Sequence, residues 1–137
     1  MTQEEKELLL KDVCARLPYE VILLASNGRT IFPTDGNTAA ELFVEQGWKP
    51  YLRPMSSMTE EEFEKLKDYS ELKYDQLDLT SFQNGTYKCL DFYLNEVPTD
   101  VVILVFDWLN KNHFDYRGLI PMGLALEAPE GMYTLNK

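Results

Sequence analysis

The chain is poor in the residues that most often carry out chemistry. Its 137 residues include one histidine, His113, and two cysteines, Cys14 and Cys89. There is no CxxC and no Cys/His cluster, so the sequence offers no zinc site of that kind. It also lacks a GxxxxGK[ST] phosphate loop and a GxSxG nucleophile elbow, which removes the common signatures of nucleotide and ester hydrolysis. No cofactor and no metal is expected. Long apolar runs are missing too. The longest, VVILVF from Val101 to Phe106, falls far short of the roughly 20 residues a membrane-spanning helix needs. Positive charge is scarce: 13 Lys and Arg stand against 23 Asp and Glu, a net charge of −10. Such a surface repels phosphates and anionic lipid, so neither nucleic acid nor membrane is expected as a partner, whereas a basic protein would suit it. The acidic residues are spread along the chain among lysines, which argues against a DNA mimic.

What remains is enough for a fold. Hydrophobic residues make up 45% of the chain and aromatics 12%, consistent with one domain over residues 1–137 around a single core. The opening MTQEEKELLLKD is acidic where a signal peptide is basic, so a cytoplasmic protein is expected. Cys14 falls in an expected helix and Cys89 in an expected strand, so the two are expected to be reduced and unlinked.

Helix signals are clear in three places. Thr2 and Glu5 have capping-box spacing, and Leu9, Leu10, Val13, Cys14 and Leu17 then recur with helical period until Pro18. Thr59 and Glu62 form a second box flanked by the staple pair Met58 and Phe63, with Leu66 and Tyr69 continuing the stripe. Residues 99–112 read as a helix capped near Thr99, because Trp108 and Leu109 carry the apolar run past ordinary strand length. That reading is preferred to a strand ending in a metal-binding Asp107. A short helix from Thr38 to Gly47 is a fourth candidate.

Two Asn-Gly pairs predict β-hairpins, since a type I′ turn needs positive φ at both central residues. Around Asn27-Gly28, a two-residue loop places Leu24 opposite Ile31 and Leu23 opposite Phe32. Around Asn84-Gly85, it places Leu79 opposite Leu90 and Leu77 opposite Phe92, with Leu79 and Leu90 on the core face. The expected fold is therefore α+β, a small antiparallel sheet from two hairpins packed by three or four helices.

Two groups of residues are candidates for binding. His113, Asp115 and Arg117 alternate, which on an extended segment would set an acid–base pair beside an anion holder. The competing and preferred reading is a helix terminus followed by a clasp, in which His113 is exposed or lightly bonded, Phe114 and Leu124 are buried and Gly118 permits the reversal. Trp48, Tyr51 and Arg53, stiffened by Pro50 and Pro54, form either a recognition surface or, more simply, an anchor for a long connection.

Three stretches, RLPY at 16–19, KPYLRPMSSMTEEE at 49–62 and DWLNKNHFDYRGLIPMGLALEAPEGMY at 107–133, cover about a third of the chain. Together they resemble an uncharacterised family of small proteins encoded by phages and mobile elements of gut bacteria of the Bacteroides group. The resemblance implies expression inside a bacterial cell and an accessory role, and it transfers no site residue. The leading expectation is a non-enzymatic protein-interaction module that modulates a host or defence protein. The alternative is a small enzyme or ligand binder with a pocket around His113, Asp115 and Arg117.

Overall fold

The computed structural model describes residues 2–24, 28–31, 48–71, 79–84 and 99–133. Helix α1 (Gln3–Arg16) opens with the expected box: the Thr2 hydroxyl accepts from Glu5 N–H at 3.1 Å and the Glu5 carboxylate accepts from Thr2 N–H at 2.8 Å. Pro18 ends it, and a single 3₁₀ turn follows at Leu17–Tyr19. Helix α2 (Glu60–Ser70) repeats the device with Thr59 and Glu62, and the staple residues Met58 and Phe63 are both buried. Helix α3 is short (Leu79–Asn84), and α4 (Thr99–Lys111) carries the VVILVF run. Among the described residues no helix is long and apolar enough to cross a membrane.

The strands are equally short: β1 (Leu23–Leu24), β2 (Thr30–Ile31), β3 (Lys49–Leu52) and β4 (Leu126–Glu127). They form a sheet in the order β2-β1-β3-β4. β1 runs antiparallel to β2 and β3, whereas β4 runs parallel to β3. A further parallel bridge joins Arg53 to Phe114, extending β3 toward the end of α4. The fold is α+β, as the sequence indicates, but its sheet is mixed and differs from the expected one in three ways.

The first Asn-Gly hairpin pairs in a different register. Leu23 faces Ile31 and Leu24 faces Thr30, one residue away from the two-residue-loop alignment. Residues 25–29 separate these pairs, and Gly28 there has φ +84, a conformation only glycine adopts freely. The second expected hairpin fails on its first arm. Leu79–Asn84 is helical because Leu79 and Phe82, three apart, both turn into the same core, and Gln83 Nε2 donates to Met58 O at 2.8 Å. Its second arm, including Cys89 and Leu90, lies outside the described residues, as does the candidate helix at 38–47. Finally, the sheet recruits β3 and β4 from segments without strand-like alternation, held by partners far away in sequence.

Among the described residues two apolar clusters result. One is aliphatic and joins α1 to the sheet through Leu9, Val13, Leu23, Leu52, Leu119 and Leu124. The other is rich in rings and joins α2, α3 and α4 through Phe63, Phe82, Trp108, Phe114 and Tyr116. Phe63 and Phe82 lie 5.7 Å apart and Trp108 stacks on Phe114 at 5.7 Å. Asp107, halfway along α4, accepts from Tyr19 OH at 2.6 Å and also from Tyr69 OH, tying three helical segments together. The carboxylate's hydrogen bond, with burial adding to it, pushes the Tyr19 phenol up to about 12.

Candidate functional site

The segment after α4 is where the sequence placed its first candidate residues. Helix α4 ends in a Schellman motif: Phe114 N–H donates to Leu109 O at 2.9 Å and His113 N–H to Asn110 O at 3.1 Å. The left-handed position of that motif, which glycine usually fills, is taken by His113 at φ 60. The imidazole compensates for that strained backbone. It is 3% exposed, stacks on Tyr133 with centroids 4.0 Å apart, and sets Nε2 2.8 Å from Tyr19 O. A carbonyl only accepts, so Nε2 carries the proton and Nδ1 is left as a buried acceptor. Burial, reinforced by the nearby Arg16 charge, lowers the His113 pKa to about 4, so the ring is neutral at pH 7. The expectation of an exposed His113 is thus corrected. The helix reversal occurs at the histidine itself, ahead of Gly118, and the ring fills the space beneath the returning chain. The other clasp residues, Phe114 and Leu124, are buried as expected.

Asp115 and Arg117 do not converge with His113. Asp115 is 6% exposed, and its two oxygens accept from Leu119 N–H at 2.8 Å and Ile120 N–H at 2.9 Å, shaping the next turn. Arg117 reaches the other way, to Asp12 Oδ1 at 2.8 Å. Asp12 belongs to a pair that the helical pattern of α1 did not reveal. Arg16 grips it through Nε at 2.9 Å and Nη2 at 3.1 Å, and both side chains are fully buried. Arg16 Nη2 also donates to Phe114 O at 2.6 Å. The sequence sign of this network was the i, i+4 pair Asp12 and Arg16 on the helix face that also carries Leu9 and Val13. The three candidates are therefore each committed to a different internal partner.

The second group divides. Trp48 packs half-buried on the aliphatic cluster, and Tyr51 lies in β3, so both anchor the sheet. Arg53 alone reaches a surface concavity. This groove, of about 580 Å³, runs between two stretches of chain. One wall is Arg53–Pro54, the 3₁₀ turn Met55–Ser57 and the first turn of α2; the other is Glu127 to Tyr133. The size is within the range usual for ligand pockets.

The walls differ in how they are held. On the first, Arg53 forks onto Glu62 with N···O distances of 2.5 and 2.9 Å, and its guanidinium lies 4.3 Å over the Phe114 ring. Glu62 also accepts from Thr59 N–H at 3.0 Å. Burial opposes its ionisation, but the bonds from Arg53 and Thr59 outweigh that and hold its pKa below the usual carboxylate value. The second wall is fixed by Ala128 N–H donating to Leu52 O at 2.8 Å and by the Tyr133 hydroxyl. That hydroxyl donates to Tyr51 O and accepts from Ile22 N–H, both at 2.8 Å. Between these points Gly131, at φ +82, lets the chain turn.

With Arg53 and Glu62 neutralising each other, the remaining charges among the described residues that line the groove are Glu61, Glu127 and Glu130. Glu61 is 77% exposed and 3.7 Å from a half-buried Lys65, a pair worth little. Glu127 and Glu130 are exposed and make no ion pair among the described residues. Sequence reasoning missed Glu61, Glu127, Glu130 and Tyr133 as a group, because what unites them is the parallel β3–β4 pairing between segments some 75 positions apart. Comparison of the chain with protein-family models, with curated proteins and with solved structures gave no match.

Proposed function

We propose that the protein is a non-enzymatic interaction module of a phage or mobile element, acting in the bacterial cytoplasm on a host or defence protein that docks in the groove between Arg53–Glu62 and Glu127–Tyr133. One observation carries this reading. The groove combines a concave surface with Glu127 and Glu130, exposed carboxylates that make no ion pair among the described residues, while His113 Nε2, the Asp115 carboxylate and the Arg117 guanidinium are bonded within the chain. An acid–base pair needs groups free to meet a substrate, which favours docking over catalysis at residues 113–117. The cellular setting rests on the resemblance of residues 16–19, 49–62 and 107–133 to the phage and mobile-element family.

The test is capture from a lysate of a Bacteroides-group bacterium by tagged wild-type protein and by Ser57→Trp. Ser57 is an exposed lining residue, so the indole fills the groove without entering the core. A protein identified by mass spectrometry with the wild type and lost with Ser57→Trp is the expected result. Identical recovery by both proteins contradicts docking in the groove.

A further inference from the structure

We infer that the occupant of the groove is an extended basic peptide segment of a protein partner, held by arginine or lysine side chains. The inference rests on the docking reading above and adds the partner's chemistry. Among the described residues that line the groove, the cation is Arg53, and its charge is balanced by a two-point bond to Glu62. An incoming carboxylate or phosphate would compete with Glu62 for that charge in a site whose other charges, among the described lining residues, are negative. A cation meets the opposite situation. Glu61 stands on one wall and Glu127 and Glu130 on the other, so a basic side chain entering between them is attracted from both sides. Tyr133 adds an aromatic surface suited to a guanidinium, and Pro54 and Pro129 supply rigid apolar contact for its alkyl stem. The net charge of −10 steers a basic partner toward the molecule at long range, and the groove gives it a place to stop.

A peptide of alternating arginine and alanine, fluorescently labelled, is titrated with the full chain and read by fluorescence polarisation. A glutamate-for-arginine counterpart and an all-alanine counterpart serve as comparisons. Two double variants separate the groove from overall charge: Glu127→Gln with Glu130→Gln in the groove, and Glu4→Gln with Glu7→Gln on the exposed side of α1. Both remove two negative charges. The expected result is saturable binding of the basic peptide alone, weakened at least fivefold by the groove pair, less than twofold by the α1 pair, and strongly by Ser57→Trp. Equal weakening by both pairs shows attraction to diffuse charge and overturns the inference. Preferential binding of the acidic or all-alanine peptide, sensitive to Ser57→Trp, overturns the basic occupant while leaving the docking groove standing. If no peptide binds but a captured protein still depends on Ser57, the basic-peptide inference alone fails. If neither depends on Ser57, both fail.

Discussion

Two polar regions lie on either side of Phe114 and serve opposite ends. In the first, Asp12 meets Arg16 and Arg117 while Asp115 bonds the backbone of the next turn, and all but Arg117 are buried. In the second, the groove, one pair is closed internally and three glutamates point outward. Burying a charge costs several kcal/mol unless its partners are well placed, so the first region depends on Asp12 holding both Arg16 and Arg117, even though Arg16 Nη1 has no hydrogen-bond partner among the described residues. Exposed charge carries almost no such cost, so the second region is free to be chosen for a partner. Partnering, more than residue type, separates the polar groups that build this fold from those available to other molecules.

The comparison breaks most visibly at Arg16. Arg16→Ala strands the Asp12 carboxylate in the interior beside Arg117, and a loss of about 3–5 kcal/mol is expected from urea unfolding. Glu127→Gln with Glu130→Gln is expected to stay within about 0.5 kcal/mol of wild type in the same assay. Equal effects of the two substitutions would erase the distinction. Phe114→Ala should follow closely, at about 3–5 kcal/mol, since this fully buried ring supports Trp108 on one side and the Arg53 guanidinium on the other.

Next comes pH. The folded state holds His113 neutral down to about pH 4, whereas the unfolded chain protonates it near 6.5. Between those values the unfolded state binds more protons, so stability falls as pH drops through this window. The loss is on the order of 3 kcal/mol once both forms are protonated. His113→Asn keeps a side chain tolerant of the left-handed position but cannot ionise, so its unfolding free energy should lose much of the slope between pH 6.5 and 4.5. An unchanged slope would mean that the ring is open to water. Glu62, with its lowered pKa, contributes loss in the same direction at lower pH and is untouched by that substitution.

The smallest effect sharpens the contrast between the groove walls. Tyr133→Phe removes the hydroxyl that Ile22 N–H and Tyr51 O share but keeps the ring against His113. A cost of about 1–2 kcal/mol is expected. Ile22 N–H should exchange with solvent faster, while the capped start of α2 on the opposite wall keeps its protection. Uniform acceleration on both walls would contradict the separate anchoring described above.

Much of the helical layer was legible in the sequence, and the reason is local. Thr2 with Glu5, Thr59 with Glu62, and the Met58–Phe63 staple are complete within a few residues, so spacing alone reveals them. Leu79–Asn84 misled because a six-residue run fits a strand or a helix, and only the distant Met58 carbonyl and the core around Phe82 decide. The Leu23–Ile31 register failed on a one-residue difference in the connection. β3, β4 and the groove were hidden for a stronger reason, as the pairing sets Tyr51 beside Leu126 and Leu52 beside Glu127, 75 positions apart in sequence. Of the candidate site residues, Arg53 reached the groove. His113, Asp115 and Arg117 were singled out for reactive groups whose internal partners no local pattern discloses.

The distinction between enclosed and outward charge is tested most directly by carbodiimide labelling of carboxylates in the native protein, read residue by residue by mass spectrometry. Glu61, Glu127 and Glu130 should label at nearly the rate of the urea-unfolded chain. Asp12 and Asp115 should label only after unfolding. Rapid native labelling of Asp12 or Asp115, or protection of the three groove glutamates in the free protein, would contradict the account.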